Sequence, residues 1–130
     1  MIEFNGWAII RESFTEEGEN EKLLKSIVKQ IELKITELNS DNEFYSLKSL
    51  NGTYHLTITV NHNHRTEHVT QFFQWISTIS KGSYGILYVQ DDEDIKRGNE
   101  NKFKVWAMKK GTVTELNDRY LSPVNPEIEE

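Results

Sequence analysis

The sequence predicts an α+β fold: a two-layer sandwich with a mostly antiparallel sheet and both helices on one face. Three observations carry this. Six short segments are rich in β-branched and aromatic residues or alternate apolar with polar positions, as strands do. Two longer segments repeat apolar residues at three- and four-residue steps, the stripe of an amphipathic helix. The order that results, βαββαβββ, mixes strands and helices with a tight hairpin between two of the strands, and such mixing favours α+β layering.

The first strand is read over Ile2 to Phe14, with Gly6 as a bend or bulge. A hydrophilic turn from Thr15 to Asn20 follows, and then a helix carries Leu24, Ile27, Val28, Ile31, Ile35 and Leu38 on one face. Asn39 and the polar residues to Asn42 stop it. Phe44 to Leu50 and Thr53 to Val60 form a hairpin across Asn51-Gly52, a pair that tolerates the positive φ angles of a tight turn. A second helix runs from Thr66, the expected N-cap, to Ser80, burying Val69, Phe72, Phe73, Ile76 and Ile79 with Trp75 at the flank. The strand Tyr84 to Val89 is apolar on both faces, so it is expected to be central and covered on both sides. Phe103, Val105 and Ala107 alternate with Lys102, Lys104 and Trp106 in a further strand, and Gly111 turns the chain into the last, Thr112 to Leu116. The tail, residues 122–130, holds both prolines and is expected to be extended; the whole chain, 1–130, reads as one domain.

Composition narrows the function. The chain has no cysteine, which excludes disulfides, thiolate zinc sites and cysteine nucleophiles. No transmembrane-length apolar run or signal-peptide pattern is present, so no membrane association is expected and a cytoplasmic location is the default. A net charge of −6 argues against nucleic acid as a ligand and suits a cationic protein partner.

Two constellations stand out. Asp91, Asp92, Glu93 and Asp94 follow the central strand without interruption, so a dense negative charge leaves the core at a fixed place. The run can bind a metal, act as acid and base, present an anionic surface to a basic partner, or be a solvated loop. His62, His64 and His68 are the weak metal candidates: two imidazoles two residues apart and a third four beyond, which a carboxylate such as Asp91 would complete. Neither His64 nor His68 sits in the E-x-x-H context of a helical zinc protease. There is no Gly-rich phosphate loop and no nucleophile in a recognised setting, so no catalytic residue, metal or cofactor is expected. Among the aromatics, Trp106 is the best candidate for an exposed interface anchor, because the alternation sets it with Lys102 and Lys104 opposite the Phe103–Val105–Ala107 row.

Several segments together carry a resemblance: IEFNGWAIIRES (Ile2 to Ser13), NHNHR (Asn61 to Arg65), GSYGILYVQDDED (Gly82 to Asp94), NKFKVWAMKKG (Asn101 to Gly111) and RYLSPVNPEIEE (Arg119 to Glu130). The chain resembles the immunity protein 7 family of bacterial polymorphic toxin systems along nearly its whole length, least over Asn20 to Asn39, where only the amphipathic pattern is shared. Members often carry Cys in a Ser-Pro-Cys context where this chain has Val124, so a thiol role at that position is excluded here. The resemblance implies a small cytoplasmic antidote that neutralises a toxin encoded beside it by direct binding, and it transfers no catalytic residue. A nuclease toxin with a basic face is one class that fits the charge. Asp91, Asp92, Glu93 and Asp94, with Trp106 and Arg65, are the residues expected to meet the partner. Two alternatives remain: a metal-dependent hydrolase built on the histidines and the acidic run, and a scaffold domain without a toxin partner.

Overall fold

β1 (Ile2–Ile10) lies at the centre of a six-stranded antiparallel sheet. The other elements are a 3₁₀ turn (Glu16–Gly18), α1 (Glu21–Leu38), β2 (Glu43–Leu50), β3 (Thr53–His62), α2 (His68–Ile79), β4 (Tyr84–Asp91), β5 (Lys104–Lys109) and β6 (Thr112–Asn117). The computed structural model describes residues 1–121, so the extended tail expected over 122–130, with Val124, lies outside the described residues. Strand order is β2-β3-β1-β4-β5-β6. β4 is paired on both edges, to β1 and to β5, as its apolar character predicts.

Alternation along each strand sends one row of side chains to the helices. Phe4, Ala8 and Ile10 of β1, Leu56, Ile58 and Val60 of β3, and Leu87 and Val89 of β4 meet Ile27, Ile31 and Ile35 of α1 and Val69, Phe72, Phe73 and Ile76 of α2 in one continuous core. Each fully buried Phe, Ile or Leu in that layer stabilises the fold by about 1.5–3 kcal/mol. α1 starts where Asn20 places its side-chain oxygen on the Leu23 amide, at 3.0 Å. The hairpin turns at Asn51 and Gly52 with φ of 52° and 79°, the left-handed conformation that this residue pair tolerates.

Four expectations are corrected. β1 ends at Ile10 rather than Phe14, and Phe14 is exposed. Thr66 does not cap α2, which begins at His68; its hydroxyl is held by the ring of His68 instead. The central strand is covered on one side only, since Tyr84 is 44% exposed and Ile86 and Tyr88 are half-buried on the face away from the helices. On that face Trp7 meets Tyr84, and Tyr88 meets Phe103, edge to face, so the rings shield one another. Finally, β5 faces the opposite way from the sequence reading. Met108, Trp106 and Lys104 lie on the helix side, and Val105 and Ala107 lie on the open side.

Candidate partner-binding site

The inverted facing of β5 turns Trp106 into the wall of a groove. Its floor is Ile2, Phe4 and Val89; α2 and the loop before it supply Arg65, Glu67, Gln71 and Gln74. The far wall is Lys104 and Trp106 of β5 with Glu115 of β6, and Asp91, Asp94, Arg97 and Asn99 close one end. The space is about 320 Å³. Arg65, Asp91, Asp94 and Trp106, all expected at a partner surface, therefore line one concavity. Asp92 and Glu93 do not line it.

Within the acidic run every carboxylate accepts from donors elsewhere in the fold, which the sequence alone does not reveal. β4 continues through Asp91, so that residue is part of the sheet and its side chain is largely buried. Arg65 donates to it through Nε at 2.7 Å, and the pair raises the Arg65 pKa above its ordinary value, the hydrogen bond being the main cause. Asp91 Oδ1 also accepts the Glu93 amide, at 3.0 Å. Asp94 is buried; it accepts from Asn99 Nδ2 at 2.9 Å and from Arg97 Nε at 3.3 Å. The Asn99 hydrogen bond first, and Arg97 second, hold the Asp94 carboxyl below the usual aspartate range despite the opposing effect of burial. Asp92 and Glu93 point outward. The Met1 amino group donates to Asp92 at 2.7 Å and to Glu93 at 3.2 Å, and His64 Nδ1 donates to Glu93 at 2.9 Å. The His64 hydrogen bond, then that of the amino terminus, lowers the Glu93 pKa.

The histidines divide. His64 goes to Glu93, whereas His62 and His68 converge on Glu43 at the start of β2. Asp91 does not complete a shell with them. His62 and Asp91 are both in register with Ile2, on its two opposite sides, which separates them by two strand spacings, roughly 10 Å. His62, His68 and Asp91 therefore do not share one centre, and of the three histidines expected there only His64 meets the acidic run, at Glu93.

A family model described as Immunity protein 7 matches residues 1–130. The chain belongs to the immunity protein 7 family. No curated protein and no solved structure matches it significantly. Membership implies a toxin protein as partner, and immunity proteins of this kind are generally not enzymes. Among the described residues, no helix is long and apolar enough to cross a membrane. In this family member the residue that sequence reasoning missed is Glu43. It ends the polar run that leads into β2, with no local pattern to mark it, and only tertiary pairing brings it to His62 and His68.

Proposed function

We propose that the protein neutralises a cognate bacterial polymorphic toxin by direct, stoichiometric binding, occluding the toxin's active site or substrate surface, and that it does so in the cytoplasm without catalysis. The groove beside Trp106 is the observation that carries the choice of surface. A half-buried indole inside a rim of charged side chains has the anatomy of an interface centre: an aromatic anchor whose polar neighbours exclude water once a partner is seated. Asp92 and Glu93, the outward acids, supply long-range attraction to a basic toxin and set the encounter rate. Asp91, Asp94 and Arg65 fix the shape of the groove's end.

The test fills the groove from an exposed position. Gln74 lines it and is exposed on α2, so Gln74→Trp occupies the space without touching the core. Toxin affinity is expected to fall by about tenfold or more, equivalent to at least about 1.4 kcal/mol, with an unchanged melting temperature. Tyr84→Ser, on the open sheet face, should leave affinity intact. Loss of binding in Tyr84→Ser but not in Gln74→Trp would move the interface to the other face of the sheet.

A further inference from the structure

The cluster at Glu43 is separate from the groove and is not explained by toxin binding. Glu43 is 8% exposed, and its two oxygens face three donors. Tyr45 Oη donates to Oε1 at 2.7 Å, His62 Nε2 to Oε2 at 2.8 Å, and His68 Nε2 reaches both oxygens at 2.7 Å. One ligand atom from each of Glu43, His62 and His68 can be chosen so that all lie within 4.8 Å of one another. Both rings thus present Nε2 to the same point, from the end of β3 and the start of α2, while β2 supplies the carboxylate.

We propose that Glu43, His62 and His68 form a binding site for one first-row divalent transition metal, with Zn²⁺ the best fit. Two imidazoles and a carboxylate are the donor set of open three-ligand zinc sites, and imidazole favours this class of ion over Mg²⁺ or Ca²⁺. Tetrahedral ligation at about 2.0–2.1 Å sets neighbouring donors about 3.3 Å apart. The carboxylate–imidazole hydrogen bonds, at 2.7–2.8 Å, are shorter, so each of those pairs parts by roughly half an ångström, while all three ligand atoms already lie within 4.8 Å of one another. Binding moves the proton of each neutral ring from Nε2 to Nδ1 by exchange with solvent, so that Nε2 takes the ion and no net proton is released.

The surroundings supply the outer partners that such ligands use. Thr66 Oγ1 lies 2.6 Å from His68 Nδ1. With the Nε2 proton on the carboxylate side, Thr66 donates to Nδ1; with metal on Nε2, the ring proton moves to Nδ1 and Thr66 accepts it. A hydroxyl can do both, so the ring orientation survives the exchange. Tyr45, buried and bonded to Oε1, leaves the second oxygen of Glu43 for the ion. His62 and His68 are only partly covered, which gives an ion a path from solvent and leaves room for a water as fourth ligand.

The experiment titrates chelator-treated protein with Co²⁺, reading the visible d–d absorption, and then displaces Co²⁺ with Zn²⁺. Saturation at one ion per chain is expected. His68→Ala, a change at a partly exposed side chain, should weaken affinity by more than about 100-fold, beyond the roughly 10–100-fold typical of losing an outer partner. Thr66→Val should weaken it by about tenfold. His64→Ala, whose ring belongs to Glu93, should bind as the parent does. Circular dichroism of each variant confirms the fold. Absence of saturable binding, or binding that survives His68→Ala, or binding lost with His64→Ala, overturns the assignment. The proposal stands apart from toxin binding, so its failure leaves that reading untouched.

Discussion

Removing the Glu43 carboxylate tests how the β2 end of the sheet is held to α2. In Glu43→Ala the Tyr45 hydroxyl, whose residue is 2% exposed, loses its acceptor in the interior. A buried donor left unsatisfied costs about 1–3 kcal/mol. His62 and His68 lose one hydrogen bond partner each, but both rings reach solvent and can turn to water, so about 0.5–1 kcal/mol apiece is appropriate. The expected loss is about 3 kcal/mol. For a chain of this length the unfolding entropy is roughly 0.27 kcal/mol per degree, so the melting temperature should fall by about 11 °C. Glu43→Gln keeps an acceptor for Tyr45 and should lose less, about 1 kcal/mol. The assay is thermal unfolding in excess chelator, with Tyr45→Phe and the double variant completing a cycle. Because the phenol is the main liability, Glu43→Ala with Tyr45→Phe should recover about 1–2 kcal/mol relative to additivity. If Glu43→Ala melts within about 2 °C of the parent, the carboxylate does not hold these elements together and the hydrogen-bond accounting is wrong.

Other predictions follow from the same geometry. Asp94→Ala, which strips the buried Asn99 side chain of its acceptor, should destabilise by about 1–2 kcal/mol in urea unfolding, whereas Asp92→Asn with Glu93→Gln should leave the midpoint unchanged and slow toxin association at low salt. Because the folded Asp94 pKa lies below its ordinary 3.8, its contribution is fully present above that pH and is lost as pH falls through the lower folded value; Asp94→Asn should therefore flatten the fall in melting temperature from about pH 5 to about pH 2. A side chain at Gly85 would meet the Trp7 carbonyl and lie 2.6 Å from Ala8 Cα on the neighbouring strand, so Gly85→Ala should cost about 2–3 kcal/mol by chemical denaturation.

Much of the fold was legible because local chemistry and tertiary demand agree. The stripe on α1, the Asn51-Gly52 turn and the two-edged pairing of β4 all appear where the residues put them. β5 was misread because Phe103, Val105 and Ala107 form the more apolar row. In the sheet that row is sheltered by cross-strand neighbours instead: Tyr88 stands beside Val105 and meets Phe103, and Leu116 pairs with Val105. Lys104 meanwhile keeps its stem on the helix side and its ammonium on Asn117 and Glu115, as long cationic side chains do. The acidic run was visible as a cluster, but its partition into inward Asp91 and Asp94 and outward Asp92 and Glu93 depends on where the turn after β4 directs each side chain. Arg65, 26 residues before Asp91 and separated from it by α2, marks the inward pair only once β4 returns beside β1. Glu43 carried no local signal, since its partners come from β3 and α2.

The central claim is stoichiometric neutralisation, and the direct measurement is a titration of toxin activity. A purified toxin domain tested as the cognate partner, held at a concentration well above the dissociation constant, is mixed with increasing amounts of the protein and its remaining activity is followed. Direct occlusion predicts a linear loss of activity that reaches zero at one equivalent, with a matching one-to-one complex by light scattering. Inactivation that proceeds to completion at a small fraction of an equivalent would mean that the protein acts catalytically on the toxin. Full activity at an excess of about tenfold, with no complex, would mean that this toxin is not its partner. Either result contradicts the account.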